Sequence, residues 1–160
     1  MNSSELTSAR GYFEDFSPGQ RMRHFRGATI GEVENGYLSK LVMNTAQVHW
    51  NEHVMAGSSL GDGRLVFGLL TASMVVGLAS QDTAEQALAE IGLDLVRFTE
   101  PVHHGDTIYA YTEVLAIEAG GSDDAGVVRF KHWGANQHGE VVCELERRAL
   151  LKRRSHWGGR

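Results

Sequence analysis

The run Arg64-Leu65-Val66-Phe67-Gly68-Leu69-Leu70-Thr71-Ala72-Ser73-Met74-Val75-Val76-Gly77-Leu78-Ala79-Ser80 is apolar on every face of a helical wheel. Such a helix is normally buried on all sides rather than laid on a surface. Small and polar residues interrupt it short of the roughly 18 unbroken apolar residues that indicate a membrane span. A domain of ordinary size has room for one helix of this kind, from about Leu65 to Ser80, and the rest of the chain must wrap it. Just upstream lie a polar segment with a histidine, Met43-Asn44-Thr45-Ala46-Gln47-Val48-His49, and the turn Gly61-Asp62-Gly63.

The chain of 160 residues reads as a single domain, residues 1–160, with residues 1–10 polar and disordered. A formal net charge of −5 argues against general nucleic-acid binding, although Arg147-Arg148 and Lys152-Arg153-Arg154 are locally basic. The single cysteine, Cys143, cannot form an internal disulfide. With no cationic-then-apolar leader, this points to a reducing cytoplasm.

Gly11 to Gly19, with Tyr12, Phe13, Phe16 and the turn Ser17-Pro18-Gly19, reads as an aromatic-anchored lead-in. Gln20 to Ile30 reads as a strand. From Gly31 to Met43 the apolar residues Val33, Tyr37, Leu38, Leu41 and Val42 recur at helical spacing, with Thr29 and Glu32 as a capping box. His49 to Gly57 forms a further short helix, and the buried helix continues in more polar form through Gln81 to Ile91. Leu93–Pro101, Thr107–Glu118, Gly126–Asn136 and Glu140–Arg153 are then β-branched, aromatic and partly alternating, separated by glycine-rich turns. The expected architecture is α+β, an antiparallel meander of four strands curled around one helix.

Four segments give that order a resemblance. Tyr12-Phe13-Glu14-Asp15-Phe16-Ser17-Pro18-Gly19-Gln20, Asn44-Thr45-Ala46-Gln47-Val48-His49 and Leu65-Val66-Phe67-Gly68-Leu69-Leu70 resemble the lead-in, the hydratase motif and the central-helix start of the MaoC-like (R)-specific enoyl-CoA hydratases. Val96-Arg97-Phe98-Thr99-Glu100-Pro101-Val102 with Gly105-Asp106-Thr107-Ile108 resembles that family's strand pair, and is the most specific match of the set. The resemblance implies a hot-dog fold, a curved antiparallel sheet wrapped around a long central helix. It implies reversible addition of water to a 2-enoyl-CoA, including branched or dicarboxylic acyl groups such as mesaconyl- or itaconyl-CoA. The substrate is carried as a CoA thioester with no other cofactor, and the chain is expected to form a homodimer with no membrane or nucleic-acid partner.

By the same resemblance, His49 is the acid/base and Gly68 N–H holds the thioester oxygen at a helix N-terminus, where backbone donors and the dipole favour negative charge. The family's aspartate is replaced by Asn44, which orients water but takes no proton at neutral pH. Three readings follow: His49 works alone; Glu52, Asp62 or Glu34 supplies the carboxylate; or the domain binds acyl-CoA without hydrating it, alone or as a heterodimer subunit. A hot-dog thioesterase is a further alternative.

Other signals are weaker. His49-Trp50-Asn51-Glu52-His53 fits the inverted zinc-protease pattern, but no later helix offers a third ligand, so no metal is expected. His103-His104 reads as solvated turn chemistry. Arg64, Arg97, Arg129, Lys131, Arg147 and Arg148 are phosphate candidates, and each is as well explained as a face residue. No cofactor-binding residue is assigned. Cys143, in an apolar strand, is expected to be inert packing.

Overall fold

A computed structural model describes residues 10–61, 63–119 and 121–158. The expectation of disorder over residues 1–10 lies, except for Arg10, outside the described residues. A 3-10 turn at Phe13–Asp15 leads into β1 (Arg21–Thr29) and α1 (Glu32–Leu41). A second 3-10 turn (Gln47–His49), α2 (Glu52–Met55) and the long helix α3 (Gly68–Thr83) follow. The sheet is completed by β2 (Ala87–Phe98), β3 (Thr107–Ala119), β4 (Ala125–Ala135) and β5 (Val141–Lys152), before a short α4 (Arg154–Trp157).

All strands pair antiparallel, in the order β1-β3-β4-β5-β2. Only β3, β4 and β5 form the expected meander. β2 pairs with β5 at the far edge instead of with β3. The cause is the connection after β2, which crosses the start of α3: Val66 N–H donates to Val102 O at 2.8 Å, and Leu65 bridges to His103. The same contacts keep Leu65 and Val66 extended, so α3 starts at Gly68 rather than Leu65. It runs on to Thr83 rather than stopping at Ser80.

Helix α3 buries Thr71, Ala72, Val75, Ala79 and Thr83, one stripe at helical spacing. It packs there on β1, β3, β4 and β5. Gly134 on β4 permits this approach, because a Cβ at that position would sit 2.5 Å from Val75 Cγ2. The expected burial on every face is not found: Leu69, Ser73 and Gly77 line an exposed face. Two apolar clusters fill the interior. One joins Ile30, Val75, Ile108 and Leu145 at the helix. The other seats Phe13 and Phe16 of the lead-in on Val128, Phe130 and Leu151, with Phe16 edge-on to Phe130 at 5.2 Å. The aromatic lead-in is therefore an anchor, as its sequence indicated. Cys143 is buried and its thiol pushed up to about 11, first by burial and then by Glu144.

Helix α1 inverts the sequence reading. Val33, Tyr37 and Leu41 are exposed, whereas Asn35 and Ser39 are fully buried. Its N-cap is Gly31 without a side-chain cap, so the expected capping box is absent. Thr29 remains in β1, with its hydroxyl 2.7 Å from Thr107 Oγ1. Gln81 to Ile91 is not a single helical continuation either. The helix ends at Thr83, and Ala87 onward is β2, drawn into the sheet by pairing from Ala87↔Leu151 onward.

Candidate active site

The Gln47–His49 turn, the extended residues before α3 and the β2–β3 connection converge on one cleft of about 480 Å³. His49, Phe67, Gly68, Leu69, Thr71 and Phe98 line it, with Thr99, Glu100 and Pro101 from the end of β2. His49 is half-buried, its ring tilted on Phe67 with centroids 5.4 Å apart. Its Nδ1 lies 3.1 Å from Leu65 O. A carbonyl only accepts, so neutral His49 carries its proton on Nδ1. Nε2 is then a lone-pair nitrogen with no hydrogen-bond partner among the described residues.

The start of α3 supplies the complementary group. Leu70 and Thr71 N–H both return to Phe67 O, at 2.8 and 3.2 Å, and Phe67 N–H is taken by Asn35 Oδ1 at 2.8 Å. Gly68 and Leu69 N–H remain as donors at a helix N-terminus. Glycine at 68 lets the Phe98 ring lie close over the helix start, since a Cβ there would sit 2.9 Å from that ring and push it aside.

The structure thus brings His49 and Gly68 into one cleft and leaves Asn44 outside its lining. Asn44 Oδ1 accepts from Ala46 N–H at 2.9 Å, closing a turn ahead of the histidine. Of the replacement carboxylates, Glu52 pairs with Arg64 at 2.7 Å, neither Glu52 nor Glu34 lines the cleft, and Asp62 lies outside the described residues. Glu100 does line it. Among the described residues it is the only carboxylate lining the cleft, and it belongs to the strand-pair motif Val96-Arg97-Phe98-Thr99-Glu100-Pro101-Val102.

A second residue missed from sequence is Asn35. Its Nδ2 lies 2.9 Å from His49 O, 3.0 Å from Leu65 O and 2.9 Å from His104 Nε2. The available signal was a polar Asn35/Ser39 pair one helical turn apart on a helix whose Val33, Tyr37 and Leu41 recur at helical spacing. His104 is accordingly not simple solvated turn chemistry. Burial first, then the charge of Arg64, holds it below the ordinary histidine range.

The protease pattern does not assemble on one helix, because His49 ends a 3-10 turn and α2 begins only at Glu52. Among the described residues no group of three His, Cys, Asp or Glu side chains is placed to hold a metal. Nor is any described helix long and apolar enough to cross a membrane. Most phosphate candidates are committed elsewhere: Arg64 to Glu32 and Glu52, Arg129 to Glu146, Lys131 to Glu144, Arg147 to Glu90 and Arg148 to Asp94. Arg97 lies in a separate small cleft with Lys131 and Glu144. Among the described residues no lysine or arginine lines the cleft of His49.

A five-stranded antiparallel sheet packed on one long helix, with a histidine and that helix's N-terminus lining one cleft, is the hot-dog arrangement the sequence resemblance implied. A structure from Chloroflexus aurantiacus described as a MaoC domain protein dehydratase superposes with a TM-score of 0.86 at 29% identity, over 96% of this chain and 48% of that one. A Mycobacterium tuberculosis protein with a double hotdog fold gives a TM-score of 0.83 at 22% identity, over 93% and 46% of the two chains. The family model described as mesaconyl-CoA hydratase matches residues 4–153, and the chain belongs to that family. A β-methylmalyl-CoA dehydratase of Chloroflexus aurantiacus is 36% identical over 120 residues, covering 74% of this chain and 34% of the relative. The chain spans less than half the length of the curated mesaconyl- and methylmalyl-CoA relatives it matches.

Proposed function

We propose that this chain catalyses the reversible addition of water to a methyl-branched 2-enoyl-CoA thioester. The observation that carries the reading is the pairing of an unpartnered His49 Nε2 with the open N–H groups of Gly68 and Leu69 in one apolar cleft. The relatives named for mesaconyl-CoA and β-methylmalyl-CoA support the acyl class.

In this mechanism the water oxygen attacks the β-carbon as His49 Nε2 takes its proton. Electrons of the double bond move onto the thioester oxygen, and the Gly68 N–H, at the positive end of α3, stabilises that charge. The imidazolium then returns a proton to the α-carbon. The sum is one water added and His49 restored. Asn44 serves by closing the turn that presents His49. No redox or metal step is called for, so the reading includes no cofactor beyond the thioester carrier.

The same reading takes residues 1–160 as a single domain acting in the cytoplasm as a homodimer. Association is supported by the free edge of β2, along which Leu88, Ile91, Leu93, Leu95 and Phe98 are exposed. A second reading, a non-catalytic acyl-CoA-binding protein or heterodimer subunit, is favoured by Asn44 at the aspartate position.

Loss of enoyl-thioester absorbance on straight and methyl-branched enoyl-CoAs tests the two. Hydration by wild type, lost in His49→Ala, supports the enzyme. If Glu100→Gln also abolishes it, the carboxylate shares the proton work. Silence of wild type with gain of activity in Asn44→Asp favours the binding reading. Release of free CoA would indicate a thioesterase.

A further inference from the structure

We propose that Asn35 is a positioning residue of this site, whose carboxamide fixes the His49 imidazole and the first turn of α3 relative to one another. The proposal rests on the reading that His49 and the Gly68 N–H act on one thioester.

An isolated amide is costly to bury unless it is hydrogen-bonded, and a helix in contact with a core ordinarily buries its apolar stripe. Helix α1 does the reverse, exposing Val33, Tyr37 and Leu41 while Asn35 is wholly buried. Four polar contacts account for that inversion. Oδ1 accepts from Phe67 N–H at 2.8 Å. Nδ2 faces His49 O at 2.9 Å, Leu65 O at 3.0 Å and His104 Nε2 at 2.9 Å, so its two hydrogens serve three acceptors. The orientation of the amide is fixed by chemistry: the Phe67 group can only donate and the two carbonyls can only accept.

Each partner has a function in the cleft. Leu65 O is the atom that holds His49 Nδ1, at 3.1 Å. The His49 carbonyl belongs to the acid/base residue itself. Phe67 is the N-cap of α3, and the next N–H is that of Gly68. One side chain therefore ties together the ring, its orienting acceptor and the donor end of the helix, from segments far apart in sequence. Asn35 does not line the cleft, so it acts through these groups rather than on substrate. A shift of about 1 Å between acid/base and oxyanion donor can cost ~10²-fold in rate.

The test compares the full-length wild type, Asn35→Asp and His49→Ala. Asn35→Asp keeps the shape and the acceptor for Phe67 N–H but loses both donors. The first readout is kcat and KM for enoyl-CoA hydration. The second is the imidazole ¹⁵N–¹H correlation spectrum, in which the His49 signal is assigned by its loss in His49→Ala. Wild type is expected to show a single Nδ1–H tautomer. In folded Asn35→Asp, kcat should fall ~10²-fold with KM within about 3-fold, and the His49 tautomers should mix. A folded variant with kcat within about 3-fold and an unchanged His49 signal overturns the proposal. So does a wild-type His49 protonated on Nε2. If Asn35→Asp does not fold, Asn35→Ser, small and uncharged, takes its place with the same two outcomes. If wild type hydrates no enoyl-CoA, the reaction assignment fails, while the tautomer spectra still decide the role of Asn35.

Discussion

The two ends of α3 carry similar chemistry arranged for opposite purposes. At the N-terminal end, His49 uses one ring nitrogen on Leu65 O and leaves the other toward a cleft. At the C-terminal end, His24 uses both: Nδ1 is 2.6 Å from Asp82 Oδ2 and Nε2 is 2.6 Å from Thr112 Oγ1. Thr112 in turn lies 2.7 Å from His132 Nδ1. That end also opens on a cleft, of about 540 Å³, but Asp82 and Gln81 line it and the two imidazoles are sealed behind them. His132 Nε2 is also without a hydrogen-bond partner among the described residues, but it is fully buried, so what sets His49 apart is a spare nitrogen on a half-buried ring that lines a cleft.

That contrast can be broken from either side. His49→Ala should reduce enoyl-CoA hydration by ~10²–10⁴-fold, the usual worth of a general acid/base. Its thermal midpoint should stay close to wild type, since a half-buried ring with one hydrogen bond is removed. Thr112→Val should do the reverse. It preserves shape but strips the shared partner from two buried ring nitrogens, at about 1–3 kcal/mol for each group left unpaired. Denaturant midpoints should fall sharply, and turnover per folded molecule should persist.

Gly68→Ala joins the two effects, because its Cβ would press on the Phe98 ring at 2.9 Å. Overpacking of this kind costs about 1–3 kcal/mol, and displacement of the N–H should lower kcat. Phe98→Leu added to it should recover stability, measured by thermal unfolding of the single and double variants.

The smallest effect is a pH slope. Burial, followed by the nearby Arg147 and His24 charges, pushes His132 from 6.5 to about 3 in the folded chain. Above pH 6.5 both states are neutral there, and the group contributes no pH dependence. Between 6.5 and 3 the unfolded chain binds a proton that the folded chain refuses. Stability therefore falls with falling pH, by up to ~1.4 kcal/mol per unit. Urea midpoints from pH 7 to 5 should drop less steeply in His132→Gln than in wild type.

Much of this molecule was legible in the sequence because local pattern and tertiary need agreed. The alternating Ile108–Leu115 segment and the aromatic lead-in each found the partner their pattern called for, and the apolar run at Leu65–Ser80 formed the long helix but buried only one stripe of it. The failures fall where a tertiary demand outweighed local preference. Ala87–Ile91 continues a polar helical stretch but becomes β2, because the β5 edge offers it a hydrogen-bonded ladder. Helix α1 has helical apolar spacing, yet it turns Asn35 inward because His49 O, Leu65 O and Phe67 N–H need partners that only a polar side chain supplies. Glu100 joins the site from the end of β2, and its place depends on a crossing over α3 that no periodicity encodes. Asn44 stands at the motif's aspartate position, and its Oδ1 accepts from Ala46 N–H to close a turn, a contact the motif does not encode.

The central claim is that the open nitrogen of His49 performs the chemistry. The most direct measurement follows the loss of conjugated-thioester absorbance for a methyl-branched 2-enoyl-CoA with wild type, His49→Ala and Thr112→Val at a temperature where all three are folded. Turnover by wild type and Thr112→Val with none by His49→Ala is the predicted result. Equal turnover by His49→Ala and wild type would contradict it, and so would turnover that vanishes only in Thr112→Val.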